Sequence, residues 1–377
     1  MVTFTKCPLD ADRLEGAFSD RLGALHETMQ RAGGLSQIGR ISVATYQPVA
    51  DELRTFATSD RLGQGARGYH ALLRNIPSLG FLKQRNEIRV IGSIPERLLR
   101  KGTRLGPDSL DAYRSSMALP VRKGDEFYGF CFFNSDIEGF FTPEVIDLAL
   151  PFGLLVGQMM INEIDGLKAL RAAVQTAKDI GRLRDNESSE HLQRMACYCG
   201  LIARSLSRSH GLTDEWIEHL EHFAPLHDIG KVGIPDRILL KSAPLNAEET
   251  GIMQGHVRIG MDIVETTLGN FGLGRHPFSD LLRNIVAHHH EAIDGTGYPL
   301  GLSGGDISIE GRVAAVADIF DTLTSPRPYK FAWAAESAFA HLNEIAGTRL
   351  DPACVEALLE NRRMVEDIME RTRKESG

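Results

Sequence analysis

Histidines and carboxylates cluster in the second half of this sequence, where their types and spacing suit metal binding. Each histidine taken singly is typical of a surface or a satisfied core residue, so only the combination indicates a metal centre. Seven of the thirteen histidines, most of them close to an acidic residue, are His191, His227, His256, His276, His288, His289 and His290.

The dipeptide His227-Asp228 lies in the segment FAPLHDIGKVGIPD. On consecutive helical positions the two side chains diverge by about 100°. One of them could therefore bind a metal terminally while the other bridges to a second ion. A helix C-terminus stopped by glycine would show the same residues, so the dipeptide alone is a weak signal.

Three further segments carry candidate ligands. Glu187 and His191 are four residues apart in RDNESSEHLQR, which places both on one helical face, although this spacing is also common in surface contacts. His256 lies among apolar residues in MQGHVRIGMDIV. Residues 288–291 (HHHE) introduce the glycine-rich stretch AIDGTGYPLGLSGGDI, which carries Tyr298.

Asp318 stands at the end of the apolar helical run in GRVAAVADIFDTLTSPRPYK. Burying an ionised carboxylate among Val, Ala, Ile and Phe is costly unless it meets a cation, so Asp318 is predicted to bind metal. Asp321 is expected to be exposed or to support a ligand from behind. Five neutral imidazoles and three carboxylates without a thiolate suit iron, manganese or another first-row ion, and eight ligands indicate two or three ions.

Residues from about 180 to 370 resemble the HD-GYP subgroup of HD-domain phosphohydrolases. The matching segments are Glu187 with His191, HDIGK at 227–231, His256, HHEAIDGTGYP at 289–299 and VADIFDTLTSPRPYK at 316–330. The resemblance implies a mainly helical, all-α domain that hydrolyses cyclic di-GMP to linear pGpG or GMP. Two departures are Glu-Ser-Ser-Glu-His in place of Glu-Thr-Gly-x-His, and Ala292-Ile293 where an aromatic residue is common.

The resemblance also implies a role for each matching residue. The expected metal ligands are Glu187, His191, His227, Asp228, His256, His289, His290 and Asp318, with Glu187 and His191 completing a third site. Asp228 and Lys231 are the expected catalytic residues, and Lys231 would face the scissile phosphate. Substrate contacts are expected from Lys231, Tyr298, Arg327 and Lys330.

A metal-bridged hydroxide would attack phosphorus in line with the departing 3′ oxygen, while the metals and Lys231 offset the growing charge. Lys231 or a metal-bound water could protonate the leaving group. Two alternative functions would use the same site residues. One is a phosphodiesterase that prefers a mixed cyclic dinucleotide (3′,3′-cGAMP), and the other is a catalytically silent nucleotide-binding scaffold.

Residues 1–158 are predicted to form an α/β domain, an antiparallel sheet with flanking helices. A helix is expected from about residue 10 to 32, then strands at 40–46 and 52–58, and a hairpin over 115–135 that turns at 123–125. A further helix begins after Thr142-Pro143-Glu144, whereas residues 63–106 allow no assignment. The pattern resembles a GAF domain, which implies a sensory role with a small, unidentified ligand or a purely dimerising one. Cys131 is expected in its core.

Residues 159–184 are predicted to form a long linker helix before the helical domain at 185–377. Its narrow apolar stripe comprises Ile161, Ile164, Leu167, Leu170, Val174, Ala177 and Ile180. Such a stripe suits a two-helix seam, which would make a homodimer through this helix and the N-terminal domain. The alternative is a helix lying on the flank of one domain.

Composition limits the other classes of function. A net charge of −8 argues against binding duplex nucleic acid, which needs a basic surface. Five scattered cysteines form no disulfide pattern and no signal peptide is evident, so a cytoplasmic protein is expected. The longest apolar stretch, residues 148–161, contains Pro151 and is expected to be too short to span a membrane.

Overall fold

Residues 1–166 and 167–377 form two structural units, each with its own hydrophobic core. The computed structural model describes residues 16–48, 51–61, 70–94, 113–181, 189–274, 276–325 and 332–374. The division between the units falls inside the segment that the sequence predicts to be a linker helix.

The first unit contains a six-stranded sheet in which every pair of neighbours is antiparallel. The strand order is β3-β2-β1-β6-β5-β4. The strands are β1 (Ile38–Gln47), β2 (Glu52–Asp60), β3 (His70–Leu72), β4 (Arg89–Ile91), β5 (Ser115–Lys123) and β6 (Glu126–Ser135). The predicted antiparallel sheet is therefore confirmed. The strands expected at 40–46 and 52–58 are present with longer bounds, and the expected hairpin spans 115–135.

Side chains alternate between the two faces of this sheet. On β6, Cys131 and Phe133 enter the core formed with α1 (Phe18–Arg31). Phe130 and Phe132 point to the opposite face, which α2 (Pro77–Arg85) covers. Cys131 is fully buried, which confirms that it is a core residue. The segment 63–106, unassigned from sequence, contains α2 and the two shortest strands.

Helix α3 (Pro143–Gly181) is continuous over 39 residues and joins the predicted helix after Thr142 to the predicted linker helix. Ile161 and Ile164 are buried in the core of the first unit. Leu167 and Leu170 are buried in the core of the second. The expectation of a two-helix seam is therefore wrong for these four residues. The side chains of Val174, Ala177 and Ile180 lie outside the described part.

The apolar part of α3 is longer than the sequence indicated. Residues 143–170 form a helix that is long and apolar enough to cross a membrane by length and composition, because the helix continues through Pro151 and past residue 161. The expectation that this stretch is too short was wrong. Val156 and Met160 on the same helix are fully buried in the core of the first unit, whereas Leu154 and Leu155 are exposed.

The described part of the second unit is built from helices and short 3₁₀ turns, which confirms the predicted all-α class. Five of its helices are α4 (Ser189–His210), α5 (Asp214–Phe223), α8 (His256–Asn270), α9 (Ser279–His288) and α10 (Ile309–Thr324). The other described helices are α6 (Asp236–Leu239), α7 (Ala247–Gln254), α11 (Ala335–Ile345), α12 (Pro352–Glu360) and α13 (Arg362–Lys374). Helix α10 carries a nearly continuous buried run, residues 313–317, through the core.

Candidate metal centre

The dipeptide His227-Asp228 lies between two 3₁₀ turns, residues 224–226 and 229–233, rather than on an α-helix as the sequence suggested. The second turn packs closely on the start of α8. A Cβ atom on Gly230 would lie 1.8 Å from the carbonyl oxygen of His256, so only glycine fits there. This contact brings Asp228 and His256 together.

The structure gathers the candidate ligands into two groups, within each of which the ligand atoms lie within 4.8 Å of one another. The first group comprises Asp228, His256, His289 and His290, and the second comprises His191, His227 and Asp318. The two groups adjoin because His227 Nε2 lies 3.1 Å from Asp228 Oδ2 and 3.9 Å from Asp318 Oδ1.

Backbone carbonyls fix the orientation of three of the imidazoles. The Nδ1 atoms of His227 and His256 donate to the carbonyls of Ala224 and Met253, at 2.9 and 2.7 Å. His289 Nδ1 lies 3.0 Å from two carbonyls of α9. A carbonyl can only accept, so each Nδ1 carries the proton and each Nε2 presents a lone pair, as in histidines that bind metals.

A buried set of acceptor atoms converges at this point. Asp228 Oδ1 lies 3.0 Å from His256 Nε2 and 3.6 Å from His289 Nε2, yet none of the three atoms makes a hydrogen bond. Buried polar atoms without hydrogen bonds are costly and rare. A divalent cation would satisfy all three, so the residues fit the metal that their types suggested.

Charge and burial keep the ligands of the first group deprotonated, which is the form that binds a metal. Burial opposes ionisation of Asp228, but the positive charge of Lys231 is the largest opposing cause, and the pKa of Asp228 is held well below its ordinary value. Lys231 Nζ lies 2.6 Å from Asp228 Oδ2. Burial lowers the pKa of His289 and His290, so both imidazoles are neutral at neutral pH.

Helix α10 corrects the burial expected for Asp318 and favours the second of the two alternatives for Asp321, a carboxylate that supports a ligand from behind. Asp318 is partly exposed, with 17% of its side chain accessible, whereas Asp321 is fully buried. Asp321 accepts a hydrogen bond from His191 Nδ1 at 2.7 Å and pairs with Arg194. The buried carboxylate is thus balanced by a guanidinium and an imidazole, and Asp318 remains among the candidate ligands.

The glycine-rich loop that follows α9 places Tyr298 against the first group. The ring of Tyr298 stacks on that of His290, with centroids 4.6 Å apart and planes at 24°. Glu291 holds the loop, because its carboxylate accepts the backbone N–H groups of Leu300 and Leu302 at 2.7 and 2.9 Å. Tyr298 is therefore positioned at the rim of the ligand cluster.

Seven of the eight predicted ligands thus lie in two adjoining groups. Glu187, Arg327 and Lys330 lie outside the described residues. The third site expected from Glu187 and His191 stays a prediction, because Glu187 is not among the described residues; the ligand atom of His191 lies within 4.8 Å of those of His227 and Asp318.

Sequence reasoning missed Glu291 and Arg194 as supporting residues. The three-residue spacing of His191 and Arg194, which puts both on one face of α4, was the available signal.

The second unit is similar to known proteins. Residues 184–354 match the family model of the HD domain. The cyclic di-GMP phosphodiesterase response regulator RpfG of Xanthomonas campestris is 42% identical over 185 residues, 49% of this chain and 46% of that protein. A cyclic di-GMP phosphodiesterase of Vibrio cholerae is 40% identical over 214 residues, 53% of this chain and 43% of that protein.

A relative whose name gives a different substrate has a similar percentage of identical residues. The 3′3′-cGAMP-specific phosphodiesterase 2 of Vibrio cholerae is 39% identical over 178 residues, 47% of this chain and 32% of that protein. This chain thus spans less than half the length of each of the three relatives. Among solved structures, a GAF domain from an Acinetobacter phosphoenolpyruvate-protein phosphotransferase matches 40% of this chain and 87% of its own, with 12% identity and a TM-score of 0.26.

Proposed function

We propose that this protein is a metal-dependent phosphodiesterase that hydrolyses cyclic di-GMP to linear pGpG or GMP. The observation that carries the proposal is the pair of adjoining ligand groups, with buried lone pairs of Asp228, His256 and His289 aimed at one point. The HD-domain match and the named activities of the relatives support it. A di- or trinuclear metal centre is the form that the donor set favours.

The proposed ligands of one ion are Asp228, His256, His289 and His290, and those of a second are His191, His227 and Asp318. Glu187 is proposed to complete a third metal site together with His191. Neutral imidazoles with carboxylates and no thiolate suit Fe or Mn. Bound divalent ions would lower the pKa of water and offset negative charge on the phosphoryl oxygens.

The protein's own groups would bind and orient the substrate. Lys231 Nζ lies 2.6 Å from Asp228 Oδ2, and the side chain of Lys231 is 21% exposed, so it can turn its positive charge toward a phosphoryl oxygen. Tyr298 offers a half-buried ring beside the cluster for contact with the nucleotide. Arg327 and Lys330 are proposed to bind phosphate oxygens. In the reaction the oxygen of water bonds to phosphorus while the 3′ oxygen leaves and takes up a proton.

A mixed cyclic dinucleotide is a second candidate substrate. The specific observation in its favour is the 39% identity to a 3′3′-cGAMP-specific phosphodiesterase, close to the 40–42% identity to the two cyclic di-GMP enzymes. Parallel turnover of cyclic di-GMP and 3′,3′-cGAMP by one metal-loaded preparation separates the two. A scaffold without activity would instead bind nucleotide and release no product.

The first unit is proposed to regulate the second as a GAF-like domain that binds a small ligand or dimerises. The continuity of α3 from one unit into the other supports this. We place the protein in the cytoplasm because its described cysteines, at positions 131, 197, 199 and 354, are free thiols. Deletion of residues 1–150 is expected to change turnover or oligomeric state, and unchanged values for both would refute the regulatory role.

The central experiment is anaerobic purification with metal analysis, followed by identification of the products from cyclic di-GMP. We expect at least two ions per chain and pGpG or GMP as product. Chelation should abolish hydrolysis, and Fe²⁺ or Mn²⁺ should restore it. Full activity in a verified metal-free preparation would disprove the proposed chemistry.

A further inference from the structure

The imidazole of His191 is supported differently from the other three oriented histidines. His227, His256 and His289 donate their Nδ1 protons to neutral backbone carbonyls. His191 donates its Nδ1 proton to a carboxylate, that of Asp321, at 2.7 Å. A carboxylate partner fixes the orientation of the ring. It also makes the other ring nitrogen more basic, and so a better electron-pair donor to a metal, than a carbonyl partner does.

The Asp321 carboxylate is itself held by two other side chains. Arg194 binds both of its oxygens, with Nη2 3.0 Å from Oδ2. Ser325 donates its hydroxyl to Oδ2 at 3.1 Å and accepts from Arg194 at 2.7 Å. Because Asp321 is fully buried, its carboxylate is shielded from solvent, and these contacts hold it in one orientation.

The positions of these residues explain why the support reaches the ligand cluster. His191 and Arg194 lie one turn apart on α4, and both meet Asp321 on α10. Asp318, a member of the same ligand group as His191, lies one turn before Asp321. The contact between α4 and α10 thus sets the separation of two ligands in the second group.

We infer that Asp321, clamped by Arg194 and Ser325, is a positioning residue that orients His191 and sets the metal affinity of the group His191, His227 and Asp318. This inference rests on the proposed function, since it requires a metal at that group. Asp321 does not contact substrate or a reacting atom in this role; it acts through the His191 ring. Removing a carboxylate partner of this kind typically lowers metal affinity by about 10- to 100-fold.

A double-mutant cycle tests the inference. The four proteins are the wild type, Asp321→Asn, His191→Ala and the double variant, each stripped of metal and titrated with Mn²⁺ while free Mn²⁺ is followed by electron paramagnetic resonance. We expect Asp321→Asn to weaken one class of site by about 10- to 100-fold in the wild-type background. With His191 absent the same change should alter affinity by less than about 2-fold, because the coupling partner is gone.

Glu310→Gln is the matched control. Glu310 is a buried carboxylate on the same helix, bound by Asn284 at 2.7 Å and outside both ligand groups. Its variant should bind Mn²⁺ as the wild type does. Thermal unfolding of the metal-free proteins separates a loss of stability from a loss of affinity.

The outcomes distinguish the inference from the proposed function. A wild type that binds no Mn²⁺ would defeat the proposed function. A wild type that binds Mn²⁺ while Asp321→Asn keeps full affinity, or loses the same factor with and without His191, would overturn the inference alone. If Asp321→Asn does not fold, Ser325→Ala takes its place in the cycle, with a smaller loss expected that also vanishes without His191.

Discussion

Replacement of Gly297 by alanine tests how the loop after α9 serves the centre. A Cβ atom there would lie 2.3 Å from the backbone nitrogen of Ala292 and 2.5 Å from backbone atoms of Glu291. Ordinary contact begins at 3.4 Å, so the loop must shift by about 1 Å, since backbone cannot turn aside as a side chain can. The shift falls on Tyr298, the next residue.

The expected result is a fall of about 10²-fold in kcat/KM for cyclic di-GMP, since a misplacement of about 1 Å can cost that much. Metal content should be unchanged, because the loop glycine is not a ligand. Steady-state kinetics and metal analysis on one preparation measure both. Overpacking should also lower stability by about 1–3 kcal/mol, measurable by urea denaturation.

Gly305→Ala is the control within the same loop, since a Cβ atom there meets nothing within 4 Å. It should leave kcat/KM, metal content and stability at wild-type values. Wild-type kcat/KM in Gly297→Ala would refute the claim that backbone contact at this glycine positions Tyr298. A parallel loss of metal in Gly297→Ala would show that the loop shapes the ligand cluster itself.

The remaining predictions concern the ligand pair and one carboxylate of the first unit. His227→Ala combined with Asp228→Ala should abolish metal content and hydrolysis while the first unit, which has its own core, keeps its near-ultraviolet circular dichroism; residual metal at wild-type stoichiometry would contradict this. Burial disfavours the charge of Glu52, but the hydrogen bond from His70 and the charge of Arg54 outweigh it and lower its pKa from 4.5 to about 2. Glu52 therefore adds stability above about pH 4.5 that is lost as the pH falls toward 2, by about 1–2 kcal/mol after solvent screening. Glu52→Gln should flatten the acid side of the stability profile in urea denaturation, and an unchanged slope would count against the assignment.

Patterns local in the sequence were sufficient for much of the fold. The hairpin at 115–135 could be predicted because β-branched and aromatic residues flank a turn with Gly124, which takes a positive φ of 59°. The three-residue strands and α2 could not, since short elements carry too few residues to show a period. The positions of the two short strands, β3 and β4, are decided by their pairing with β2 and β5.

The apolar stripe of α3 illustrates a limit of periodicity. Spacing of threes and fours indicated one apolar helical face, and Ile161, Ile164, Leu167 and Leu170 on that face are buried. Spacing contains no information about the partner, and Ile164 and Leu167, one turn apart, belong to the cores of different units. Which core each residue of the helix joins is decided only by the packing within each unit.

For the centre, the sequence by itself determined which donors are available: imidazoles and carboxylates, no thiolate, and the order in which they occur. Tertiary structure decided how they group, because ligands from α4, the turns around His227, α8, the residues just after α9, and α10 meet only when those elements pack. The sequence predicted a buried Asp318, but in the tertiary structure Asp318 is partly exposed and Asp321 is the buried aspartate. Both lie on nearly the same face of α10, and it is the approach of His191 and Arg194 from α4 that encloses Asp321, a contact across more than 120 residues that no local pattern encodes.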